Sequence, residues 1–353
     1  MSDDRRVSIG GVNVSDESGC YVIAEIGHNH QGNLESAKEL FRAAKECGAH
    51  AVKLQKRDNR TLYTKATYDA PYDNDNSYGA TYGAHREALE FGASEYRELK
   101  SYAEQLGVAM FATVFDFASV DFMEQFDPPA YKIASGDLKN TPLLKYAAKT
   151  GKPILLSTGG GDMEDVLRAR DAVEPINPQL CILQCTANYP STADEMNLRV
   201  IETFRELFPK NVIGLSDHQS GISMALVAYV MGARIIEKHF TLNRASKGSD
   251  HKFSLEPIGL RKLVRDLERA RVAMGDGEKK RLQCEQKPLL KMEKQLVAAR
   301  DIPSGSVLTA ENVAIKSPGG GLPPHELDNV IGKTTVRALK EDESISFQDL
   351  ARQ

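Results

Sequence analysis

The 353-residue chain has no apolar run long enough to span a bilayer. Its first ten residues are polar and charged and lack the apolar core of a secretory leader. Its five cysteines, Cys20, Cys47, Cys181, Cys185 and Cys284, are odd in number and form no C-x-x-C pair. Neither a disulfide framework nor a zinc knuckle is indicated, and a reducing cytoplasm is the expected setting. An excess of one charge is lacking too: the net charge is −4, so neither a nucleic acid nor a membrane surface is expected as a partner. What remains is a composition 41% hydrophobic and 27% charged, ordinary for a globular protein. The length suits one large domain and a small one.

Eight short apolar runs alternate with segments of helical periodicity. The runs lie at 21–27, 51–55, 108–113, 131–135, 153–157, 180–185, 212–215 and 233–237. The helical segments lie at 34–47, 94–106, 119–126, 143–150, 163–173, 198–208, 222–231 and 258–274. This alternation predicts a (β/α)8 TIM barrel over residues 1–277. Residues 1–19 read as a flexible lead-in or a short hairpin. A stretch rich in Tyr, Asn, Asp and Gly at 56–91 interrupts the pattern. A loop of that length is functional or disordered, and Arg86-Glu87 near its end points to an ordered lid. A charged, partly helical linker at 278–294 precedes short strands and turns at 295–353. These predict a small, mostly β domain with a limited core of its own.

In such barrels the C-terminal strand ends converge on one face, which holds the active site. Here those ends carry Glu25, Lys53, Gln55, Thr113, Lys132, Ser135, Ser157, Tyr189, Ser216, His218, Glu237 and His239. Alternation puts Lys53 and Gln55 on one face. A lysine inside an apolar strand is either an edge residue reaching water or an interior phosphate ligand, and a parallel barrel favours the second. A lone histidine usually satisfies one hydrogen bond. His218 and His239, at consecutive strand ends beside Asp217 and Glu237, suit a shared metal ion. His28 and His30, two residues apart, are a rival pair. The turn Ser157-Thr158-Gly159-Gly160-Gly161-Asp162 opens a helix, so its N–H groups either meet an anion or merely turn the chain. Lysines and a helix terminus suit phosphate or carboxylate, and a divalent metal suits polarising a carbonyl oxygen. Taken together, these groups describe the joining of an anionic phosphorylated substrate to a carbonyl compound.

Several stretches resemble one known family. Ala24-Glu25-Ile26-Gly27 with Asn29-His30, Val52-Lys53-Leu54-Gln55, Lys132-Ile133-Ala134-Ser135-Gly136 and Leu156-Ser157-Thr158-Gly159 are similar to motifs of the sialic acid synthases. So are Tyr189-Pro190, Gly214-Leu215-Ser216-Asp217-His218 and Glu237-Lys238-His239-Phe240-Thr241. Residues 295–353 resemble that family's antifreeze-like (SAF) domain. The resemblance implies condensation of phosphoenolpyruvate with the open-chain aldehyde of an N-acetylated mannosamine-type sugar, giving a nine-carbon 2-keto sugar acid and phosphate. It implies His218 and His239 as ligands of a divalent metal, manganese first, with magnesium or cobalt as alternatives. Lys53, Gln55, Lys132, Ser135, Ser157, Ser216, Asn188 and Lys316 become substrate-binding residues. Glu25, Asp137 and Tyr189 join the two histidines as catalytic residues. A homodimer is implied, with the small domain capping the partner's barrel.

Three positions depart from the family pattern: Asp137 stands for a glutamate, Ala187 for an asparagine, and Ser317 for an arginine that meets the N-acetyl group. The last two concern the sugar, so N-acetylmannosamine ranks first with deoxy-diacetamido sugars behind it. One alternative is a barrel synthase acting on a phosphorylated sugar, with Arg57, Arg60 or Arg86 serving the second phosphate. Another is a carbohydrate-binding protein with a dead barrel.

Overall fold

The computed structural model describes residues 5–351. The chain divides into two compact units, one ending at Gly275 and one starting at Asp276. The first opens with an antiparallel hairpin, β1 (Arg6–Ile9) and β2 (Val12–Ser15). There follow β3 (Tyr21–Gly27), α1 (Leu34–Glu46) and β4 (Ala51–Lys56). The stretch at 56–91 is not one long loop. It contains α2 (Asn59–Leu62), α3 (Lys65–Asp69) and α4 (Tyr82–Leu89), capped by Asp58, Thr64 and Thr81. The alternation resumes with α5 (Ala93–Leu106), β5 (Ala109–Val114), α6 (Phe117–Glu124), β6 (Tyr131–Ile133) and α7 (Thr141–Ala148). It ends with β7 (Ile154–Ser157), α8 (Met163–Val173), β8 (Leu180–Cys185), α9 (Val200–Leu207), β9 (Val212–Asp217), α10 (Ser223–Val230), β10 (Ile235–His239) and α11 (Pro257–Ala273). The strands β3 to β10 close into a barrel, and β10 pairs in parallel with β3 to complete the ring.

Most element ends fall within two or three residues of the sequence reading. Two differences bear on the site. Ser135 belongs to a 3-10 turn after a three-residue β6. The strands β9 and β10 run on to Asp217 and His239, so their polar residues are held by sheet hydrogen bonds rather than by loops.

The alternation of strand side chains splits the barrel into two layers. One set of positions packs outward against the helices, including Val22, Val52, Ile133, Leu156, Ile182 and Ile236. The other set points inward. At the N-terminal end of the barrel it is apolar: Ile23, Phe111, Leu155, Leu183 and Ile235 form one cluster. Val7, Ile9 and Val14 of the hairpin join that cluster and stop the lower end of the barrel. Asp16 ties the hairpin down, 2.7 Å from Arg5 and 2.7 Å from Arg205. Two positions further along each strand, the inward residues become Glu25, Lys53, Thr113, Ser157, Ser216 and Glu237, all buried.

In the second unit, α12 (Gln286–Met292) precedes β11 (Gln295–Ala298), which pairs antiparallel with β12 (Val313–Lys316). α13 (Leu327–Val330) follows. Elsewhere in the expected run of short strands and turns, pairing is reduced to single bridges such as Ile302 with Leu339 and Val307 with Thr334, and Val330 is helical. Pro303 and Gly305 interrupt the ladders there. Leu296, Ile302, Leu308, Leu339 and Ile345 make its core.

Ile9 is fully buried in the stopper. Ile9→Ala is expected to lower the free energy of unfolding by about 2–4 kcal/mol, measured by denaturant titration. A loss within error would show that the hairpin does not close the barrel.

Candidate active site

The upper inward residues enclose a cavity of about 500 Å³, within the range that takes small metabolites. At its floor lies a buried network of charge. Lys53 Nζ is 2.6 Å from Glu25 Oε2 and donates to Thr113 Oγ1 at 2.5 Å. Glu237 Oε1 stands 3.7 Å from Lys53 and 3.8 Å from Lys132, and accepts from Ser216 Oγ at 3.2 Å. Lys132 also donates to the carbonyl of Ile133. Two floor groups remain unpartnered although buried: Ser157 Oγ and Glu237 Oε2. An orphaned buried hydroxyl is costly unless a ligand completes it.

Burial pushes the Glu25 carboxyl up to about 6, with Lys53 opposing the rise and Glu237 adding to it. Burial acts the same way on Glu237, but Lys132 and Lys53 outweigh it and hold that carboxyl below its ordinary value. The two carboxyls are thereby separated in acidity, the pattern found where one group carries a proton and the other a charge. Burial lowers the Lys132 ammonium, against the pull of Glu237.

One wall carries the histidines. The rings of His218 and His239 lie 5.4 Å apart, and Tyr189 packs 4.1 Å from His218. His218 Nδ1 is 2.8 Å from the carbonyl of Thr186. A carbonyl only accepts, so Nδ1 carries the proton and Nε2 keeps its lone pair. His239 Nδ1 has no hydrogen-bond partner and stands 3.5 Å from Asp250. Burial keeps His239 below the usual imidazole range, so it is a neutral donor at pH 7. Among the described residues no three His, Cys, Asp or Glu side chains group to hold a metal. The protein offers two imidazoles, which suit a divalent ion whose remaining ligands are water or substrate.

The opposite wall comes from β4 and the insertion. Gln55 donates to Glu25 at 2.7 Å and accepts from Arg57 at 2.8 Å. Arg57 stacks 3.6 Å over Phe115. His28 lies between two guanidinium groups, 3.3 Å from Arg57 and 3.4 Å from Arg86. Burial and those two cations hold His28 well below its usual range. Among the described residues, neither Arg57 nor Arg86 has a carboxylate within ion-pair distance.

Residues 40–279 match the model of the NeuB family, and residues 294–351 match that of the SAF domain. The chain belongs to the NeuB family. It is similar to the N-acetylneuraminate-9-phosphate synthase of Homo sapiens, 40% identical over 92% of this chain and 91% of that protein. It is also similar to the N,N'-diacetyllegionaminic acid synthase of Legionella pneumophila, 36% identical over 94% of each. Among solved structures, the N-acetylneuraminic acid synthetase of Leptospira borgpetersenii in complex with citrate superposes with a TM-score of 0.71 at 30% identity, covering 81% of this chain and 95% of that one.

Within this NeuB-family barrel, Glu25, Lys53, Gln55, Lys132, Ser135, Ser157, Tyr189, Ser216, His218 and His239 all border the cavity. Two expected site residues of the barrel unit do not. Asn188 is exposed and donates to Glu195 at 2.9 Å, and Ala187 takes the place in the wall. Asp137 follows the lining residue Gly136 and accepts from Asn140. Lys316 lies in the second unit, where it pairs with Asp342. The glycine turn is a packing device rather than an anion cradle. Asp162 and Asp165 cap the first turn of α8, and a Cβ on Gly159 would lie 2.8 Å from Ser135 Oγ and 2.9 Å from Ala187 N. The rival pair keeps its rings 5.9 Å apart but only one member faces the cavity: His28 borders it, whereas His30 stacks on Phe91 at 4.2 Å. Asp250, Tyr78 and His85 also line the wall; the first two sit in irregular segments and His85 in α4, a helix too short to show a period.

Folding binds a proton at Glu25 between its ordinary value of 4.5 and about 6. That contribution favours the fold below this window and fades as pH rises through it. Glu25→Gln removes the dependence. The melting temperature of the variant, relative to the parent, is expected to rise between about pH 4.5 and about pH 7. A difference that stays flat would rule out the raised carboxyl.

Proposed function

We propose that this chain condenses phosphoenolpyruvate with the open-chain aldehyde of an N-acetylated mannosamine-type sugar phosphate. The products are a nine-carbon 2-keto sugar acid 9-phosphate and inorganic phosphate. One observation carries the choice of acceptor: a single cavity contains two cationic centres, Lys53 with Lys132 and Arg57 with Arg86, and among the described residues only the first has carboxylates within ion-pair distance, Glu90 and Asp250 acting on the arginines from further off. Arginine pairs with no carboxylate in contact match a phosphate that arrives with the substrate. The sequence reading placed a free sugar first, and a free sugar would bring no anion into contact with Arg57 and Arg86. The name of the human relative supports the phosphorylated reading. Three carbons from phosphoenolpyruvate extend the sugar at its C1, so a 9-phosphate in the product is a 6-phosphate in the acceptor.

The floor suits phosphoenolpyruvate. Lys53, Lys132 and Ser216 surround Glu237, and the unpartnered hydroxyl of Ser157 awaits an acceptor or donor. The enol C3 attacks the aldehyde carbon, forming the C–C bond while the carbonyl π pair moves to its oxygen, which takes a proton. Glu25, with its raised carboxyl, is the group best able to hold that proton near neutral pH. Positive charge develops at C2, where Glu237 remains ionised and stabilises it. Water adds to C2, and cleavage of the C2–O bond releases phosphate and leaves the 2-keto acid. His218 and His239 would hold the divalent ion, manganese first with magnesium or cobalt behind it, whose charge polarises the aldehyde.

Phosphate release from phosphoenolpyruvate, measured with manganese and N-acetylmannosamine 6-phosphate, is expected to exceed that with the unphosphorylated sugar. Arg57→Ala and Arg86→Ala should each raise KM for the sugar phosphate about 10–100-fold, the value of one charge-assisted contact. KM for phosphoenolpyruvate should not move. Equal turnover of both sugars, unaffected by either variant, would return the acceptor to the free amino sugar.

A further inference from the structure

A second buried ion pair lies outside the cavity, and catalysis as described makes no use of it. Lys238 Nζ is 2.9 Å from Asp217 Oδ2, and both side chains are almost wholly shielded from solvent, at 1% and 0%. They are register partners on β9 and β10. Alternation sends them away from the cavity, because their neighbours Ser216, His218, Glu237 and His239 line it. Asp217 Oδ1 accepts from the backbone N–H of Gln219 at 2.8 Å, and Lys238 Nζ donates to the backbone carbonyl of Gln219. The pair therefore grips the main chain on both sides of His218. Lys238 itself immediately precedes His239. A buried pair of this kind is poor value as a stabiliser, since well-packed apolar residues often serve as well or better. What it does supply is a fixed relation between two backbones.

We infer that Asp217 and Lys238 are positioning residues that set the interval between the His218 and His239 imidazoles. Neither touches substrate. The inference rests on the reading of the two histidines as partners in holding one divalent ion. The chain carries further restraints that make the interval sensitive to this clamp. The carbonyl of His218 accepts from Ser191 N at 3.3 Å, its ring is held by Thr186, and the carbonyl of His239 accepts from Leu255 N at 2.8 Å. Each histidine is thus anchored on its outer side, and the Asp217–Lys238–Gln219 grip adds a side-chain link to the pairing of β9 with β10 just where that ladder ends.

The test uses the full chain and Mn2+ alone, with binding followed by the electron paramagnetic resonance signal of the free ion and fold by circular dichroism. The double variant D217L/K238M, which removes the charge and the clamp together, is expected to fold with a melting temperature at or above the parent's. It should bind Mn2+ at least about 10-fold more weakly, the usual cost of losing an outer support of a ligand. Its kcat should fall while KM for phosphoenolpyruvate stays. The variant D217N/K238Q keeps an acceptor and a donor facing each other and Gln219 without charge, at the cost of one bond of reach at position 238, and should bind Mn2+ more tightly than the apolar pair. This second pair keeps the test open if the apolar pair does not fold. Parental Mn2+ affinity in a folded D217L/K238M would overturn the clamp. So would a loss in D217N/K238Q as large as in the apolar pair, which would make the effect purely electrostatic. His239→Ala separates the two ideas: if it leaves Mn2+ binding unchanged, the two-imidazole reading fails and the clamp with it.

Discussion

Glu237 holds the interior of this barrel together. It is a carboxylate taken out of water and placed between two ammonium groups from strands that do not neighbour its own. None of the three charges is tolerable there alone. Together they offset part of one another's burial, and Ser216 and Thr113 satisfy part of what remains. The network is nonetheless incomplete, with one oxygen of Glu237 and the hydroxyl of Ser157 left over. A closed structural network would have no such remainder. An unfilled one at the mouth end of a barrel is built to be finished by a ligand, which is why the floor reads as a binding surface and not as a strut.

Much of this was visible in the chain itself. The period-two pattern of 51–55 already places Lys53 and Gln55 on one side, and the same rule applied to β9 and β10 puts His218 and His239 beside each other. Barrel closure follows from eight repeats of strand and helix. Motif resemblance then converted a set of polar strand ends into expected roles. These inferences share a physical source: regular strands make side-chain direction a matter of counting.

Where counting stops, the reading weakened. Arg57 and Arg86 stood in the sequence as one option among several, because the stretch around them has no repeat and its three short helices are too brief to show one. The structure brings both to the same histidine. Asp250 gave no signal at all, since it lies in a turn and reaches His239 across space. Asn188 was chosen over Ala187 by residue type, and the backbone put the alanine in the wall. The glycine turn was ambiguous for a different cause: close packing and anion binding ask for the same residue, and only the neighbours of Gly159 decide between them.

The hairpin stopper has a kinetic meaning beyond its share of the core. Among the described residues it closes the lower end of the barrel, which leaves the upper face as the way in and out of the cavity. Lys53 and Lys132 are buried at its base, and Arg86 stands nearer the rim. A molecule seated on the lysines is covered by whatever later occupies the arginines. On the proposed assignment of the enol compound to the lysines and the sugar to the arginines, traffic through such a well is a stack: the first loads before the second, and nothing beneath departs until the layer above has gone.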